Sequence, residues 1–398
     1  MQAAGVVVEF NPFHYGHKYL TDELRKSGIT HIMAAMSGNF TQRGEPAVAE
    51  TPLRVRAALE SGVDLVLQLP VPFAVSGAAA FAGAGVNLLG ATGIANYIAF
   101  GSESGDVDSL KEISSLLLSG QADEAIRKEL ETGITYAAAR ENAVRIFLGA
   151  KADLLRNPND ILGVEYINGI TLAGLSAKPL AVRRRGAPHD SAEKSGSIAS
   201  ASEIRKMIFS GSDEWKNYVP NPEIYNIKGP EFLVDLAKYE TLILYKLRTM
   251  SPAETALLPD ISEGIENRIA KAAAGAKSLD ELCSGIKTKR YTMARIRRIL
   301  CCALLGITAE DLKKPLPYIR VLGFNERGAE MLGVMKETAS LPVISRLADL
   351  EKSGETGEEL FAKECAATDV YSLLCGNVSP CGREKAYKTI VKNDEISR

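Results

Sequence analysis

Two histidines lie three residues apart near the start of the chain, within the segment EFNPFHYGHKYL. They are His14 and His17, with Gly16 between them, and the sequence contains only 4 histidines in all. Imidazole N–H groups donate hydrogen bonds to phosphate oxygens, and a glycine lets a polyphosphate approach the backbone closely. The pattern therefore predicts a site that stabilises the charge on a departing pyrophosphate. The competing interpretation is that the two histidines cap a helix or fill a polar niche.

A second segment, IASASEIRKMI at residues 198–208, has the pattern of a phosphate-binding helix start. Ser200 or Ser202 could cap this helix, and Arg205 would lie one turn further along it. The unpaired N–H groups and partial positive charge at a helix N-terminus suit a phosphate. An ordinary helix cap would look nearly the same, so the segment becomes specific only in combination with His14 and His17.

A third segment, KTKRYTMARIRR at residues 287–298, is basic and contains no acid. The formal net charge of the chain is −2, so attraction to nucleic acid would have to come from a local patch such as this one. We predict an RNA-binding helix whose cations contact the backbone and whose Tyr291 stacks on an unpaired base. A solvated helix face with one or two ion pairs is the alternative. The predicted RNA-contacting cations are Lys287, Lys289, Arg290, Arg295, Arg297 and Arg298.

The elements that must position these residues alternate between strand-like and helix-like patterns over residues 1–210. Such alternation predicts a parallel sheet with right-handed crossovers. Ligands bind these sheets at the carboxyl ends of the strands, and the histidine motif follows the first apolar run. We expect an α/β fold with a Rossmann-like, parallel-sheet nucleotidyltransferase domain over residues 1–210 and a helical insertion at about 106–177. The strand candidates are residues 4–9, 31–36, 63–69, 96–101 and 179–184.

The second half of the chain is helical by its apolar periodicity, and strand signals are sparse. We predict a mostly α-helical C-terminal domain over residues 211–398 that binds tRNA. The polar stretch at residues 350–364 is expected to be solvated. The predicted helices are residues 230–250, 252–275, 278–286, 291–305 and 326–338.

Residues 65–102 contain no charged side chain, which is long enough to span a bilayer. Prolines and glycines divide this run into a strand, a small-residue helix at about 75–90 and another strand, as expected of a buried parallel sheet. No signal-peptide pattern precedes the first strand. The 6 cysteines form no CxxC pair, which favours free thiols over a zinc site or disulfides. We therefore expect a cytoplasmic protein without a membrane segment.

Eight segments follow one another in the order found in the bacterial tRNA(Met) cytidine acetate ligases, which the chain resembles over nearly its whole length. The second and seventh of them are much more specific than HxGH. The resemblance implies a nucleotidyltransferase-like fold and an enzyme that uses ATP and acetate to acetylate the N4 amine of the wobble cytidine in elongator tRNA(Met). The segments are VVVEFNPFHYGHKYL, MSGNFTQRGEPA, SGVDLVLQLP, FGSESGD, PNDILGVEY, IASASEIRK, IKTKRYTMARIRRIL and YIRVLGFNERG.

The same resemblance implies which residues bind ATP. It points to the whole first segment, to a glycine and an asparagine further along, and to an arginine that is either Arg184 or its neighbour. His14 and His17 are the expected catalytic residues. The full predicted ATP site is Val7, Val8, Glu9, Phe10, Asn11, Pro12, Phe13, His14, Tyr15, Gly16, His17, Lys18, Tyr19, Leu20, Gly101, Asn159, Arg184, Arg185, Ser200, Ser202 and Arg205.

One departure from the family pattern is Thr51, where many relatives carry a lysine. If that lysine helps bind substrate, Arg54 or Lys18 would have to take its place in this chain.

The expected mechanism has two half-reactions. Acetate attacks the α-phosphorus of ATP to form acetyl-adenylate, and Mg²⁺ bound through the phosphates, rather than at a protein metal site, helps to neutralise the leaving pyrophosphate. The cytidine amine then attacks the acetyl-adenylate and releases AMP. Nothing in the sequence indicates a covalent nucleophile or an obligate protein partner. Two alternatives stay open: a nucleotidyltransferase or acyl-adenylate ligase acting on a small metabolite, and a non-catalytic, ATP-dependent RNA-binding protein.

Overall fold

The computed structural model describes residues 1–184, 198–225, 233–262 and 264–392. The strands are β1 (Ala3–Val8), β2 (His31–Ser37), β3 (Phe40–Thr41), β4 (Glu45–Pro46), β5 (Leu65–Leu69), β6 (Tyr97–Ser102), β7 (Lys178–Arg183), β8 (Ile319–Phe324), β9 (Val343–Ile344) and β10 (Ile390–Val391). The helices are α1 (Tyr15–Lys26), α2 (Thr51–Glu60), α3 (Val71–Ala74), α4 (Ala78–Ala91), α5 (Val107–Leu118), α6 (Asp123–Glu131), α7 (Tyr136–Leu148), α8 (Pro158–Leu172), α9 (Ala201–Phe209), α10 (Leu236–Thr249), α11 (Pro252–Thr255), α12 (Ile265–Gly275), α13 (Leu279–Ile286), α14 (Met293–Leu305), α15 (Glu326–Thr338) and α16 (Gly354–Leu374).

The main sheet has the strand order β10-β8-β5-β2-β1-β6-β7, and β9 also pairs with β8. Strands β5, β2, β1, β6 and β7 run parallel, and they correspond to the five strands predicted from the sequence. Their continuous apolar runs are covered by helices on both faces, as parallel strands require. The predicted α/β, mostly parallel fold is confirmed.

Helix α4 packs closely on β1 because a glycine of each element faces a larger side chain of the other. A Cβ at Gly85 would lie 2.5 Å from Val7, and one at Gly5 would lie 2.9 Å from Leu89. This contact explains why the charge-free run at residues 65–102 is rich in glycine and alanine. It forms β5, α3, α4 and β6, as predicted, and is buried inside the fold. Among the residues that the structure describes, no helix is both long and apolar enough to cross a bilayer.

The segment between β6 and β7, where a helical insertion is predicted, contains α5 to α8. The second half of the chain, which was expected to be mostly helical, adds strands β8, β9 and β10 to the main sheet. Strand β8 pairs antiparallel with β5, so one sheet contains strands from both sides of the predicted boundary at residue 210. That boundary stays a prediction.

The polar stretch at residues 350–364 was expected to be solvated, and most of its residues are exposed. From Gly354 onward it forms the first half of α16, which buries Phe361 and Glu364. Apart from Glu364, the charged residues after Gly354 lie on the outer face of this helix. Glu364 is buried because it accepts hydrogen bonds from Gln68 and from the backbone N–H of Val71.

Candidate active site

A cleft of about 590 Å³ lies at the carboxyl ends of β1, β6 and β7, where the N-termini of α1, α8 and α9 meet. The position is the one expected for a ligand site in a parallel sheet. Helices α7 and α14 add Ala137, Ala294 and Arg298 to its wall. The predicted ATP-site residues that line it are Val7, Val8, Glu9, Phe10, Asn11, His14, Gly16, His17, Tyr19, Leu20, Gly101, Asn159, Arg184, Ser200, Ser202 and Arg205.

The remaining predicted ATP-site residues do not line the cleft or are not described. Phe13 is fully buried, and its N–H donates to the Tyr225 hydroxyl at 2.8 Å. Lys18 forms an ion pair with Asp22 one turn along α1. Pro12 and Tyr15 belong to the same segment but are not lining residues. Arg185 lies outside the described residues.

His14 and His17 form a capping box at the N-terminus of α1. The Nδ1 atom of His14 accepts from the N–H of Gly16 at 3.0 Å, and the Nδ1 atom of His17 accepts from the N–H of His14 at 3.2 Å. The two rings stack with their centroids 3.8 Å apart. The helix-cap interpretation is confirmed, and it is compatible with the predicted phosphate site because the same two side chains line the cleft.

This geometry determines which nitrogen of each ring carries the proton. Since Nδ1 accepts in both histidines, the hydrogen-bond network assigns the proton to Nε2. Burial, together with the positive charge of Arg184, lowers the pKa of His17 to about 3. His17 is thus neutral near pH 7 and can donate from Nε2 to a phosphate oxygen.

The absence of a side chain at Gly16 has a different cause from the one predicted. A Cβ at this position would lie 2.7 Å from Cε1 and 2.9 Å from Nδ1 of His14. Glycine is therefore needed for His14 to fold back over the helix start. The N–H of Gly16 donates to His14 and is therefore not open to a phosphate. Glycine is needed here for the packing of His14 rather than for the approach of a phosphate to the backbone.

The second predicted motif meets the first across the cleft. Ser200 is the N-cap of α9, and its hydroxyl accepts from the N–H of Glu203 at 3.2 Å. Arg205, one turn on, donates to the carbonyl of Asn11 at 2.9 Å and lies 3.5 Å from the Ser202 hydroxyl. The two segments that the sequence separates widely thus form one site.

A chain of hydrogen-bonded side chains joins Arg184 and Asn159 of the predicted ATP site. Arg184 donates to the Asn159 side-chain oxygen at 3.4 Å, and the Asn159 amide donates to Glu103 at 2.5 Å. Gly101 lies beside this chain, and a Cβ there would be 3.4 Å from Cγ of Arg184. Arg184 is otherwise exposed, so its guanidinium is available to a ligand.

Arg54 cannot bind substrate in place of the family lysine, because its side chain is completely buried. It donates to the carbonyls of Ala49 at 3.0 Å and Glu9 at 2.5 Å, and also to that of Gly38. Thr51 is buried beside it and donates to the Asn39 side chain at 2.8 Å. Both residues hold the loops that surround the cleft.

The basic segment does not form a single solvated helix face. Helix α14 begins at Met293, capped by Thr292, so Lys287, Lys289 and Arg290 precede it and are exposed. Arg290 also donates to the Leu130 carbonyl in the helical insertion at 3.3 Å. Within α14, Ile296 and Leu300 are buried.

The other members of the basic segment have protein partners. Arg295 donates to the Asp260 carbonyl at 2.6 Å, and Arg297 pairs with Glu45 at 3.0 Å. Arg298 lines the cleft, 4.0 Å from Asp260. The structure contradicts base stacking by Tyr291, which is 2% exposed. Its hydroxyl bonds Ser262, and its ring packs against Arg295, with 4.1 Å from the guanidinium carbon to the ring centroid.

Sequence reasoning missed the hairpin of β3 and β4, whose turn places Gln42 and Arg43 in the cleft. The N–H of Gln42 donates to Glu9 at 2.6 Å. Gly44 presses against α14, where a Cβ would lie 2.5 Å from the Arg297 carbonyl. The sequence does contain a signal for this hairpin, because the segment MSGNFTQRGEPA is one of the eight that carry the family resemblance. No site residue was predicted within that segment.

The described part of the chain contains no cluster of three or more histidine, cysteine, aspartate or glutamate side chains that could hold a metal ion. Glu9 is the single carboxylate among the described lining residues of the cleft. A divalent cation in this cleft would therefore take most of its ligands from a bound phosphate and from water.

Comparison with known proteins places this geometry in a family. A family model described as HIGH Nucleotidyl Transferase matches residues 1–385. A tRNA(Met) cytidine acetate ligase from Thermoanaerobacter sp. (strain X514) is 40% identical over 400 residues, covering 96% of this chain and 98% of that protein. One from Caldanaerobacter subterraneus subsp. tengcongensis is 39% identical over 392 residues, covering 95% of this chain and 96% of that protein.

Two solved structures resemble the whole fold. The apo form I of Thermotoga maritima TmcAL has a TM-score of 0.94 at 32% identity and covers 99% of this chain and 100% of its own. Form II, bound with alpha-thio ATP, has a TM-score of 0.92 at 31% identity with the same coverage. The similarity therefore includes the helical insertion and the second half of the chain as well as the parallel sheet.

Proposed function

Because this chain belongs to the tRNA(Met) cytidine acetate ligase family, we propose that it uses ATP and acetate to acetylate the N4 amine of the wobble cytidine in elongator tRNA(Met). Its relatives are named for ligation of acetate to a cytidine of tRNA(Met), and a structure similar over the full length is bound to an ATP analogue. The chain is accordingly an ATP-dependent ligase that modifies tRNA. We place its activity in the cytoplasm, where tRNA is modified.

The observation that carries this proposal is the meeting of two phosphate-binding motifs in one cleft. Arg205 of α9 donates to the carbonyl of Asn11, which lies three residues before His14 of the capping box. One motif alone could be an ordinary helix cap, but two helix N-termini and an arginine converging on one cavity suit a triphosphate.

In the first half-reaction, an acetate oxygen attacks the α-phosphorus of ATP and pyrophosphate leaves. Neutral His17 and His14 donate from Nε2 to the leaving phosphates, and Arg205 neutralises their charge. Arg184, Asn159 and Gly101 hold the nucleoside end. Since His17 stays uncharged, it contributes as a hydrogen-bond donor rather than as an acid.

Mg²⁺ fits this site as an ion carried in by ATP. It would supply charge neutralisation for the phosphates and would take its ligands from those phosphates and from water.

In the second half-reaction, the cytidine amine attacks the acetyl carbonyl and AMP leaves. The wobble base lies in a loop and is already unpaired, so little unstacking energy is needed to bring it into the cleft. Lys287, Lys289 and Arg290 are exposed, Arg290 contacts the Leu130 carbonyl of the helical insertion, and the three are our proposed contacts for the tRNA backbone.

The direct test is to incubate the protein with ATP, ¹⁴C-acetate and unmodified tRNA(Met). We expect label in tRNA, as N4-acetylcytidine at the wobble position after nuclease digestion, and one AMP released per acetyl group. His17→Ala should reduce the rate about a hundredfold, as loss of one donor to developing charge does. If the label appears only in a small acetylated metabolite, the protein is instead a nucleotidyltransferase or acyl-adenylate ligase that acts on a small metabolite. ATP and tRNA binding without AMP release would support a binding protein.

A further inference from the structure

Glu9 is a half-buried carboxylate that faces the reaction cleft and has no part in the mechanism described so far. It follows directly after β1 and lines the cleft together with His14 and His17. One oxygen, Oε1, accepts from the backbone N–H of Gln42 at 2.6 Å. That bond fixes the carboxylate between the histidine motif and the hairpin of β3 and β4.

Several charged or titratable groups face Glu9 from the elements packed around it. They are Arg43 from the hairpin, Arg54 from α2, Arg205 from α9 and Tyr166 from α8. The three arginines favour the ionised carboxylate, but desolvation is the larger effect and raises the pKa of Glu9 above its ordinary value. Such a carboxylate is a stronger base than one in water.

The second half-reaction needs a proton acceptor. When the cytidine N4 atom bonds to the acetyl carbon, the bond from that carbon to the AMP oxygen breaks, and N4 must lose one proton to become a neutral amide. AMP departs as a stable phosphate monoanion or dianion. The proton therefore goes to a neighbouring base or to water.

Other cleft groups are poorly suited to take this proton. Both histidines use Nδ1 to accept backbone N–H groups and carry a proton on Nε2, so neither has an open acceptor. Tyr166 is a buried phenol whose pKa is raised above its ordinary value, which keeps it protonated. Among the described lining residues, Glu9 is the single carboxylate.

We propose that Glu9 is the general base that accepts the N4 proton of the cytidine during acetyl transfer. This inference rests on the proposed function and deepens it, because it assigns a residue to the second half-reaction alone. No proton is lost when acetate attacks ATP, so acetyl-adenylate formation does not require this base. The position of Glu9 beside the leaving-group residues allows one cleft to serve both steps.

The test is a rapid-quench experiment with Glu9→Gln, ATP, ¹⁴C-acetate and tRNA(Met), in which acetyl-adenylate and acetyl-tRNA are measured separately. The glutamine oxygen can still accept from Gln42, so the hairpin contact is kept. We expect acetyl-adenylate to form within about threefold of the wild-type rate and then to accumulate. Transfer to tRNA should fall by 10²- to 10⁴-fold, the usual contribution of a general base.

The pH dependence supplies an independent readout. In the wild type, the transfer rate should rise with pH as Glu9 loses its proton and then level off, whereas Glu9→Gln should lack this rise. Glu50→Gln is the matched control, because Glu50 pairs with Arg383 at 2.6 Å outside the cleft. It should leave both steps within about twofold.

Three outcomes overturn the proposal. They are transfer by Glu9→Gln within threefold of wild type, an equal loss of both half-reactions, and an unchanged pH profile. If Glu9→Gln does not fold, Glu9→Asp replaces it, and a pH profile that is neither shifted nor reduced overturns the inference. If wild-type protein forms no acetyl-adenylate, the proposed function itself fails, and this result is distinct from the others.

Discussion

His17 shows how one side chain can cap a helix and also line the cleft. Its Nδ1 atom caps α1 by accepting from the N–H of His14, which leaves Nε2 to donate into the cleft. The same burial that fixes the ring also keeps it uncharged. An arginine or lysine at this position would bind phosphate but would not satisfy the helix start.

The low pKa of His17 predicts a specific loss of stability in acid. An unfolded histidine titrates near pH 6.5, whereas folded His17 titrates at about 3. Between these values the unfolded state binds a proton that the folded state does not, so the free energy of unfolding falls as pH falls. Urea denaturation should show a larger loss between pH 7 and pH 5 for wild type than for His17→Gln. Identical slopes for the two proteins would contradict the assignment.

At the scale of elements, helix α2 holds the cleft loops together through Arg54. This one guanidinium donates to carbonyls that follow β1, β2 and the hairpin of β3 and β4. At the tip of the hairpin the N–H of Gln42 donates to Glu9, and Gly44 packs against α14. The loops around the cleft are therefore fastened to regular elements at both ends.

Replacing Arg54 with methionine should cost roughly 3 kcal/mol of unfolding free energy, because buried carbonyls would lose their donors. Urea denaturation measures this loss, and ATP affinity should weaken along with it. Arg56→Met is the matched control, since Arg56 is exposed on the same helix, and it should change stability by less than about 0.5 kcal/mol. A loss below 1 kcal/mol for Arg54→Met would show that water replaces the guanidinium.

The elements that could be predicted from the sequence depend on local patterns, whereas those that were missed depend on contacts between residues far apart in the chain. The five parallel strands were predictable because each is a continuous apolar run between helical patterns. Strand β8 has a similar run, IRVLGF, but its antiparallel pairing with β5 depends on residues far away in the chain. Tyr291 looked like a base-stacking residue because arginines flank it, and only the fold brings Ser262 to its hydroxyl. Local pattern thus predicted the phosphate motifs, whereas long-range packing decided the basic segment.

At the scale of the whole molecule, the cations of the basic segment divide into two groups. Lys287 and Lys289 are exposed before α14, whereas Arg298 lines the cleft. The first group can attract an RNA backbone, and the second can act on the ligands of the cleft. A variant that neutralises both groups together would therefore mix two effects.

Substituting Lys287 and Lys289 with glutamine should weaken tRNA binding and reduce its log–log salt slope by about one unit for each lost phosphate contact. ATP affinity should not change. Filter binding over a range of salt concentrations measures the slope. The control is Lys313→Gln with Lys352→Gln, two exposed lysines outside this segment, which should leave the slope unaltered. An unchanged slope in the first variant would place the RNA elsewhere.

The antiparallel strand β8 also has a consequence for the synthesis of this protein. Strand β5 is fully buried and largely apolar, and its free edge is covered only when β8 arrives about 250 residues later in the chain. At a translation rate of about 5–20 residues per second, that edge stays open for roughly 12–50 s on the ribosome. An open apolar edge is a template for pairing with other chains. The nascent chain is therefore open to mispairing during this interval, and a chain that stops before residue 319 is expected to aggregate rather than to accumulate as a folded fragment.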